Sequence, residues 1–425
     1  MKLQVKTLVA LLLLFPFSCN QSNTQHSEIQ EKRHCYIKQN YTKKEVYISM
    51  RDGVKLFTTI YTPKDTSKKY PLLFNRTPYS IDPYGENKFP EVLGPSWLFT
   101  KEKYIFVYQD VRGKFMSEGE YKNVRPHNPK KEAEETDENS DTYDTIEWLL
   151  KNLENHNGNV GMWGISYPGF YAVHGAINAH PALKAVSPQA PISDWYFDDF
   201  HHHGALFLDH CFSFMYIFGK EREELTQNWG KPLSYPVDNG YDFFLNEIGP
   251  LKNINKDWYH NEVSFWNDVV AHPDYDSFWQ KRSTLPHLIN VRPAVMTVGG
   301  WYDAEDLYGT FATYQAIEKN NPDAYNIIVC GPWNHGGWAR TKGIKLGGVY
   351  FGDDPPSSAF YQKEIELDYF NSILKQYDQP NLPEAFMFET GSNQWKKFDH
   401  WPPNDTTAVR FYFTDEHALQ KQKPD

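Results

Sequence analysis

The chain has few cysteines, no excess of basic charge and no hydrophobic run long enough to cross a bilayer. Its 54 acidic residues outnumber its 43 lysines and arginines, and the formal net charge is -11. A nucleic-acid-binding protein needs a basic patch, and none is visible, so we expect no nucleic-acid partner. No internal repeat or low-complexity tract stands out. With 425 residues, 40% of them hydrophobic, the chain can bury a sizeable core and hold more than one domain.

Cysteine and histidine do not indicate a metal site. Apart from Cys19, the cysteines are Cys35, Cys211 and Cys330, an odd number with no metal-type spacing. A disulfide among them and buried free thiols are equally compatible with this pattern. The run 201–203 is three histidines, but consecutive residues of a helix point about 100° apart and cannot converge on one ion. We therefore predict no metal and no cofactor.

The N-terminus predicts an export signal. Two lysines precede the apolar run Leu8–Phe17, which is too short to span a bilayer. A small residue followed by Cys19 resembles a bacterial lipoprotein cleavage site, although Pro16 stands where an aliphatic residue is usual, which leaves plain signal cleavage as the alternative. We expect an exported protein, periplasmic or at the cell surface, with residues 1–19 as the signal. Its membrane contact would be a lipid on Cys19, with residues 20–44 as a polar tether.

Short apolar runs alternate with segments of helical periodicity along residues 45–193 and 291–380. The runs predict strands at Glu45–Met50, Leu56–Tyr61, Pro71–Asn75, Tyr104–Tyr108, Asn159–Trp163, Val291–Val298 and Tyr325–Cys330. The periodic segments predict helices at Asp141–Leu153, Tyr167–Ala179, Leu307–Glu318 and Phe360–Leu374. This alternation predicts the α/β class, with an open and mostly parallel sheet.

Three other segments depart from that alternation. Residues 194–290 are rich in aromatics and show helical periodicity without a buried strand, which predicts a helical cap over the C-terminal edge of the sheet. Residues 381–425 turn β-like, at Glu384–Glu389 and Arg410–Thr414. They begin a further β domain or pack on the α/β body. The acidic run Glu132–Asp141 is typical of a solvated loop leading into a helix rather than of a metal site.

Residues 159–169 predict a strand, a sharp turn and the start of a helix. A serine at such an elbow, here Ser166, is held out at the top of the sheet, where its hydroxyl can attack a carbonyl carbon. The usual motif is G-x-S-x-G, whereas here the second glycine comes one residue late, at Gly169. Pro168 suits the first turn of the helix, because its missing N–H would be unpaired there. Taken alone, the segment is also compatible with a purely structural turn.

Two further strand ends complete the pattern. Asp303 follows one predicted strand and His335 follows the next, so the order along the chain is Ser, Asp, His. In a hydrolase, His335 would take the proton of Ser166, and Asp303 would fix the imidazole tautomer. The backbone N–H of Tyr167 would be one donor of an oxyanion hole, and the loop 75–79 would supply a second.

Four sequence blocks together resemble one family. They are residues 76–79, 108–119, 164–169 and 331–336. The resemblance is to the superfamily of X-Pro dipeptidyl-peptidases, cocaine esterases and α-amino acid ester hydrolases, and it runs from about residue 46 to 414. It implies an α/β-hydrolase body, a helical cap and a C-terminal jelly roll, with this chain reaching only the first strands of the jelly roll. It also implies that the Tyr79 hydroxyl belongs to the oxyanion hole.

Within that superfamily, the chain is most similar to α-amino acid ester hydrolases, also called β-lactam antibiotic acylases. Those enzymes bind the α-ammonium group of the substrate with three carboxylates. The resemblance implies Glu305, Asp306 and Asp199 for these roles, with Asp198 as an alternative because the cap is one residue shorter here. Close carboxylates repel one another, so such a cluster favours a cation.

The resemblance implies a serine hydrolase that cleaves or transfers α-amino acyl groups of esters and amides through an acyl-Ser166 intermediate. The expected partner is a small molecule or short peptide with a free α-amino group; the sequence leaves monomer and homo-oligomer open. An X-Pro dipeptidyl-peptidase is the nearest alternative, followed by a broad carboxylesterase or glutaryl-amide acylase. A surface-anchored binding protein without activity is a different class, and the complete Ser, Asp, His set argues against it.

Overall fold

The computed structural model describes residues 18–424, apart from residues 221, 223, 232, 236–238 and 377–379. Side chains are described from residue 28 onward. The predicted signal, residues 1–17, lies outside the described residues, and the side chain of Cys19 does too. Within the described part of the chain, no helix is both long and apolar enough to span a membrane.

In the described residues, ten strands form one sheet. They are β1 (Tyr41–Ser49), β2 (Lys55–Pro63), β3 (Tyr70–Thr77), β4 (Ile105–Asp110), β5 (His156–Ile165), β6 (Leu183–Gln189), β7 (Ala294–Gly300), β8 (Asn326–Gly331), β9 (Ala385–Glu389) and β10 (Gln394–Phe398). Their spatial order is β1-β2-β4-β3-β5-β6-β7-β8-β9-β10. Strands β3 to β9 are parallel, whereas β2 and β10 run antiparallel to their neighbours. The predicted α/β class and mostly parallel sheet are confirmed.

Helices surround this sheet. The longer ones are α1 (Ser18–Asn40), α2 (Trp97–Glu102), α3 (Glu138–Asn152), α4 (Tyr167–Ala176), α5 (Leu208–Phe218), α6 (Ser264–Ala271), α7 (Leu307–Asn320) and α8 (Leu367–Leu374). Two separate hydrophobic layers result. One contains Ile146 of α3 and Phe170 of α4, and the other contains Phe370 of α8 and Phe99 of α2. The sheet is therefore covered on both faces, as a parallel sheet requires.

The cap consists of short helical segments. It opens with a π-helical turn, Tyr196–Phe200, and continues through α5, the segment Gly240–Ile248 and α6 to the turn Leu285–His287. A two-residue ladder, His201–His202 with Ala205–Leu206, interrupts it. The three histidines of this run therefore lie on a tight hairpin instead of a helix.

Strand β6 was not predicted from the sequence. The segment Leu183–Gln189 is not a continuous apolar run, because Lys184 is exposed and Ser187 and Gln189 are polar. The polar side chains are nevertheless buried because they have partners. The Ser187 hydroxyl donates to the carbonyl of Met296, and the Gln189 side chain accepts from the indole N–H of Trp338. Long-range hydrogen bonds therefore make a central strand out of a sequence that does not look like one.

Residues 18–40, which include most of the predicted tether, form α1, and β1 begins at Tyr41. Ile37 and Tyr41 are fully buried, and the Tyr41 hydroxyl donates to the carbonyl of Thr100 at 2.7 Å. The guanidinium of Arg33 lies over the ring of Trp97. A few apolar residues in a polar sequence are thus enough to dock this segment on the body.

Strands β9 and β10 lie in the segment 381–425, for which the sequence left a further β domain and packing on the α/β body open. Strand β9 pairs in parallel with β8 and extends the central sheet, and β10 pairs with β9. Phe386 and Phe388 are buried in that position. Of the predicted strand Arg410–Thr414, only Tyr412–Phe413 is extended and paired, with Leu419–Gln420, and Phe413 is largely exposed.

The acidic run is not a solvated loop throughout. Asp137 caps α3 by accepting the N–H of Ser140, and Asp141 is fully buried. The Asp141 carboxylate accepts two hydrogen bonds from Arg112, at 2.6 and 3.0 Å, and lies 3.5 Å from the guanidinium of Arg76. Opposite charges from distant parts of the chain therefore allow these acids to enter the interior, which the local sequence does not indicate.

We expect Asp141→Ala to destabilise the protein by about 2–3 kcal/mol, because it would remove one of the two carboxylates that each of two buried arginines contacts, while Arg112 keeps Asp52 and Arg76 keeps Glu138. Urea denaturation monitored by circular dichroism measures this change. The matched control is Glu147→Ala on the same helix. The Glu147 carboxylate is half-exposed and contacts Lys151 and His180. The control should unfold nearly like the wild type. Equal losses in both variants would contradict the buried network.

Candidate active site

Ser166 lies at the turn between β5 and α4, at the carboxyl end of the strand. Its φ is 68° and its ψ is -127°, a conformation that is strained for a residue with a side chain. The turn is held in place because the Ser166 N–H donates to the carbonyl of Gln189 at 2.8 Å. A Cβ at Gly164 would come within 2.2 Å of the Pro168 carbonyl oxygen, so only glycine fits there.

The late second glycine has a structural reason. A Cβ at Gly169 would lie 2.8 Å from the carbonyl oxygen of Gln189 and 3.0 Å from the Cα of Pro191. Helix α4 therefore approaches the end of β6 closely at this point. The displaced glycine of the motif serves the close packing of helix against sheet, so the departure from G-x-S-x-G does not disturb the turn at Ser166.

Asp303 and His335 follow β7 and β8, and the structure brings them together. His335 Nδ1 lies 2.9 Å from Asp303 Oδ2. Asp303 Oδ1 accepts the N–H groups of Glu305 and Asp306, at 2.9 and 3.0 Å. Although burial acts in the opposite direction, the hydrogen bond to His335 lowers the pKa of Asp303. Burial acts to lower the pKa of His335. The hydrogen bond to Asp303 and the nearby charge of Glu305 outweigh burial and raise it.

Among the described residues, no hydrogen bond joins Ser166 Oγ to the imidazole of His335, whose Nε2 lies 3.6 Å from Glu305 Oε2. The Ser166 side chain is near the Tyr79 hydroxyl, whose pKa it influences. Catalytic hydrogen bonds are often long or misaligned in enzymes without substrate, so this geometry is compatible with a nucleophile and its base.

Tyr79 and Tyr167 lie next to Ser166, as predicted. The ring of Tyr79 packs edge-on against Tyr167 at 6.4 Å and stacks on Trp229 of the cap at 6.2 Å. Burial raises the pKa of Tyr79 well above its usual value, and Asp199 raises it further. Its hydroxyl therefore keeps its proton at neutral pH and can donate. Tyr167 is the first residue of α4, where a backbone N–H has no acceptor within the helix.

The three predicted carboxylates also meet. Asp199 comes from the π-helical turn of the cap, whereas Glu305 and Asp306 follow β7. Carboxylate oxygens of Glu305 and Asp306 and a ring nitrogen of His335 all lie within 4.8 Å of one another. The same holds for Asp199, Glu305 and His210 of α5. The cluster therefore surrounds the imidazole of His335.

Much of this negative charge has no partner. Neither carboxylate oxygen of Asp306 has a hydrogen-bond donor among the described residues, and the same is true of Asp199 Oδ2. Asp306 is fully buried. Burial raises the pKa of Asp306 well above its usual value, with Asp199 adding repulsion. Burial also raises the pKa of Glu305. A buried group of unpartnered acids favours a cationic ligand.

The geometry separates Asp199 from its neighbour Asp198. Asp198 Oδ2 accepts the N–H groups of Ser193 and Asp194, at 2.9 and 3.0 Å, and Oδ1 accepts that of Gly309 at 2.6 Å. Its carboxylate is thus used to fasten the start of the cap to α7. Of the two residues, Asp199 is the one that faces the cluster.

A cavity of about 820 Å³ adjoins the cluster. Glu305 and Asp303 lie at one side of it, and its other walls are largely apolar. They include Phe197, Phe207, Leu307, Tyr308 and Phe311. A cavity of about 840 Å³ near the amino ends of β7 and β8 contains none of the predicted site residues.

Sequence reasoning missed His210. Its Nε2 lies 3.5 Å from Asp199 Oδ1. Although burial acts against it, the interaction with Asp199 raises the pKa of His210. The two residues are separated by the hairpin at 201–206, so no periodicity in the sequence links them. Only the bend of the chain between the first turn of the cap and α5 brings them together.

Known proteins resemble this arrangement. Residues 52–337 match the profile of the family described as X-Pro dipeptidyl-peptidase (S15 family). The chain belongs to this family. Cocaine esterase from Rhodococcus sp. (strain MB1 Bresler) is 27% identical over 386 residues, which cover 86% of this chain and 61% of that protein.

Two solved structures are also similar. An aminopeptidase from a marine sediment archaeon, Thaumarchaeota archaeon, is 32% identical with a TM-score of 0.78, covering 91% of this chain and 63% of that one. An α-amino acid ester hydrolase labelled with selenomethionine is 30% identical with a TM-score of 0.81, covering 91% of this chain and 64% of that one. The chain thus spans less than two thirds of these relatives, and the predicted superfamily and α/β-hydrolase fold are confirmed.

We expect Asp306→Asn to stabilise the protein by about 1–3 kcal/mol at pH 8, because it removes a buried charge that has no partner. Asp306 precedes α7 but does not cap it, so no helix cap is lost. Since the pKa of Asp306 is raised in the folded state, its ionisation destabilises the fold as the pH rises. The gain should therefore be larger at pH 8 than at pH 5.

Thermal unfolding at the two pH values measures this difference. Asp198→Asn is the matched control, because both Asp198 oxygens accept backbone N–H groups. An amide would turn its own N–H groups toward some of these donors, so this variant should have a lower melting temperature. A lower melting temperature of Asp306→Asn at pH 8 would show that this carboxylate has a stabilising partner.

Proposed function

We propose that the protein is a serine hydrolase that hydrolyses or transfers α-amino acyl groups of esters and amides through an acyl intermediate on Ser166. The observation that carries this proposal is the group of carboxylates, Asp199, Glu305 and Asp306, around the imidazole of His335. The similarity to an α-amino acid ester hydrolase supports it.

In the proposed reaction, His335 Nε2 takes the proton of Ser166 Oγ while Oγ forms a bond to the acyl carbon. Asp303 holds the other ring nitrogen in its N–H form and stabilises the imidazolium. When the tetrahedral intermediate collapses, the bond to the leaving group breaks and Nε2 returns the proton to that group. Water then attacks the acyl-enzyme with the same base and releases the acid, whereas an amine acceptor gives a transfer product.

The oxyanion formed in each step needs donors already in place. The Tyr79 hydroxyl and the Tyr167 N–H flank Ser166 and fill this role in the proposal. Because the pKa of Tyr79 is raised, its hydroxyl stays neutral and donates a hydrogen bond rather than a proton. Trp229 and Phe218 pack on the Tyr79 ring and restrict its orientation.

The carboxylates select the substrate. An α-ammonium group has three N–H donors, and it would meet the carboxylates of Asp199, Glu305 and Asp306. Both oxygens of Asp306 and one of Asp199 lack donors in the described structure. Because the cluster is largely buried, a neutral substrate would leave these charges uncompensated. The difference between charged and neutral substrates should therefore exceed that expected at an exposed ion pair.

A second candidate is an X-Pro dipeptidyl-peptidase, which the family name favours. The same carboxylates would hold the N-terminus of a peptide, and the apolar cavity beside Glu305 offers room for a longer acyl part. A panel of p-nitrophenyl and p-nitroanilide substrates with and without a free α-amine, including an X-Pro dipeptide, separates these activities from a broad carboxylesterase.

We expect Tyr79→Phe to lower kcat by roughly 10²–10³-fold with little change in KM, the usual effect of removing one oxyanion donor. Ser166→Ala should lose about 10³-fold or more, because only binding and the oxyanion hole would remain. The control is Tyr84→Phe, which removes a buried hydroxyl bonded to Asp110 away from Ser166. A change in KM alone for Tyr79→Phe would instead make Tyr79 a substrate contact.

We expect Glu305→Gln to reduce kcat/KM by at least about 30-fold more for a phenylglycine ester than for the corresponding phenylacetate ester, which lacks the amine. The reason is that removing one partner of a desolvated charge pair costs about 2–5 kcal/mol. Asp199→Asn should discriminate in the same way. Asp198→Asn is the control, since damage to the cap should affect both esters equally. Equal losses for Glu305→Gln on both esters would contradict selection of the amine and favour a general esterase.

A further inference from the structure

His210 adds an imidazole to the acidic cluster. Its Nε2 lies 3.5 Å from Asp199 Oδ1, is buried, and has no hydrogen bond among the described residues. On the other side of the cluster, His335 Nε2 lies 3.6 Å from Glu305 Oε2. Asp199, His210 and Glu305 therefore bring one imidazole and two carboxylates together. Neither role assigned above, to the base or to the ammonium site, uses His210.

The spacing suits a tetrahedral ion. Zinc binds imidazole nitrogen at about 2.0–2.1 Å and carboxylate oxygen at about 2.0–2.2 Å, so neighbouring ligand atoms are about 3.3–3.5 Å apart. The edge between His210 Nε2 and Asp199 Oδ1 is 3.5 Å. The ligand atoms of Asp199, His210 and Glu305 all lie within 4.8 Å of one another. Three protein ligands of this kind leave a fourth position of the zinc ion open to water.

A second observation points to a cation independently of this spacing. Asp306 is 0% exposed and Asp199 is 3% exposed. Both oxygens of Asp306 and one of Asp199 lack a donor within the described structure. A divalent ion would compensate this buried charge without requiring the three N–H groups of an ammonium ion.

We propose that Zn²⁺ binds to Asp199, His210 and Glu305, with water in the fourth position, and that it inhibits the enzyme. The donor set of one imidazole nitrogen and two carboxylate oxygens is one that zinc accepts, whereas Ca²⁺ prefers oxygen ligands alone. Binding of the ion does not depend on the proposed reaction; the inhibition rests on it.

Inhibition follows from the position of the ion. Glu305 Oε2 lies 3.6 Å from His335 Nε2, so an ion bound to Glu305 would place positive charge beside the base. That charge would oppose protonation of Nε2, which has to take the proton of Ser166. The ion would also occupy the place of the substrate ammonium group. Zinc and an α-amino substrate are therefore mutually exclusive.

A different acid and histidine cluster provides a control. Glu318, Glu384 and His400 also have ligand atoms within 4.8 Å of one another. There, however, Glu384 Oε1 already accepts from the Tyr314 hydroxyl and contacts His400, and Glu318 Oε1 accepts from Asn326 at 2.7 Å. These acids have partners, so we expect no zinc at this position.

The experiment is calorimetric titration of the full chain with ZnCl₂, using wild type, His210→Gln, Glu305→Gln and the control His400→Gln. Loss of a direct ligand should weaken binding by at least about 100-fold, since even residues that only orient a ligand contribute about 10–100-fold. His400→Gln should bind like the wild type, and CaCl₂ should give no comparable binding. Circular dichroism and melting temperature establish that each variant is folded.

Two results would overturn the proposed site: wild-type zinc affinity in folded His210→Gln and Glu305→Gln variants, or loss of binding in His400→Gln. For the inhibition, ZnCl₂ should raise KM for the phenylglycine ester, and EDTA should reverse the effect. Zinc bound by calorimetry without inhibition would overturn that part. Selectivity for amines is measured in EDTA without zinc, so failure of the proposed function can be distinguished from failure of the metal site.

Discussion

The concentration of carboxylates around one imidazole is the constraint on which the rest of the site depends. Asp303, Glu305 and Asp306 follow a single strand, β7, and Asp199 is added from the cap. Only Asp303 is fully used, by His335 and two backbone N–H groups. Both oxygens of Asp306 and one of Asp199 have no hydrogen-bond donor among the described residues, and both residues are buried. Such an arrangement is unfavourable for folding, so the surrounding structure has to hold it in place.

The cap supplies this support. Asp198 accepts three backbone N–H groups and thereby joins the first turn of the cap to α7. Lys114, in the loop after β4, donates to the carbonyl of Phe218 at the end of α5 and lies over the Phe218 ring. Burial lowers the pKa of Lys114 to about 7. Because Phe218 packs on Tyr79, this contact connects the cap to the residue assigned to the oxyanion hole. The cap therefore positions both Tyr79 and Asp199.

How far the sequence predicts this molecule depends on the range of the interactions. The turn at Ser166 and the strand ends at Asp303 and His335 are local patterns, and each could be located from its own neighbours. The burial of Asp141 depends on Arg112 and Arg76, and strand β6 depends on partners from β7 and Trp338. These partners are distant in sequence, so local composition misled in both cases.

The same reasoning applies to two segments whose packing the sequence does not indicate. The polar composition of residues 20–44 hides the few side chains, Ile37 and Tyr41 among them, that dock α1 and β1. Strand β9 looks like the start of a new domain, because only its pairing with β8 reveals that it extends the existing sheet. Pairing between strands is not encoded in the composition of either strand.

Charge alone does not determine what the acidic cluster binds. An ammonium group and a zinc ion both compensate buried carboxylates, but they use different atoms. The ammonium group needs only acceptor oxygens, whereas zinc also takes the imidazole lone pair of His210. His210 therefore favours the metal. Glu305 connects the two sites, because it belongs to the group with Asp199 and His210 and also lies 3.6 Å from His335 Nε2. A cation held by Glu305 therefore acts on the catalytic base without touching it.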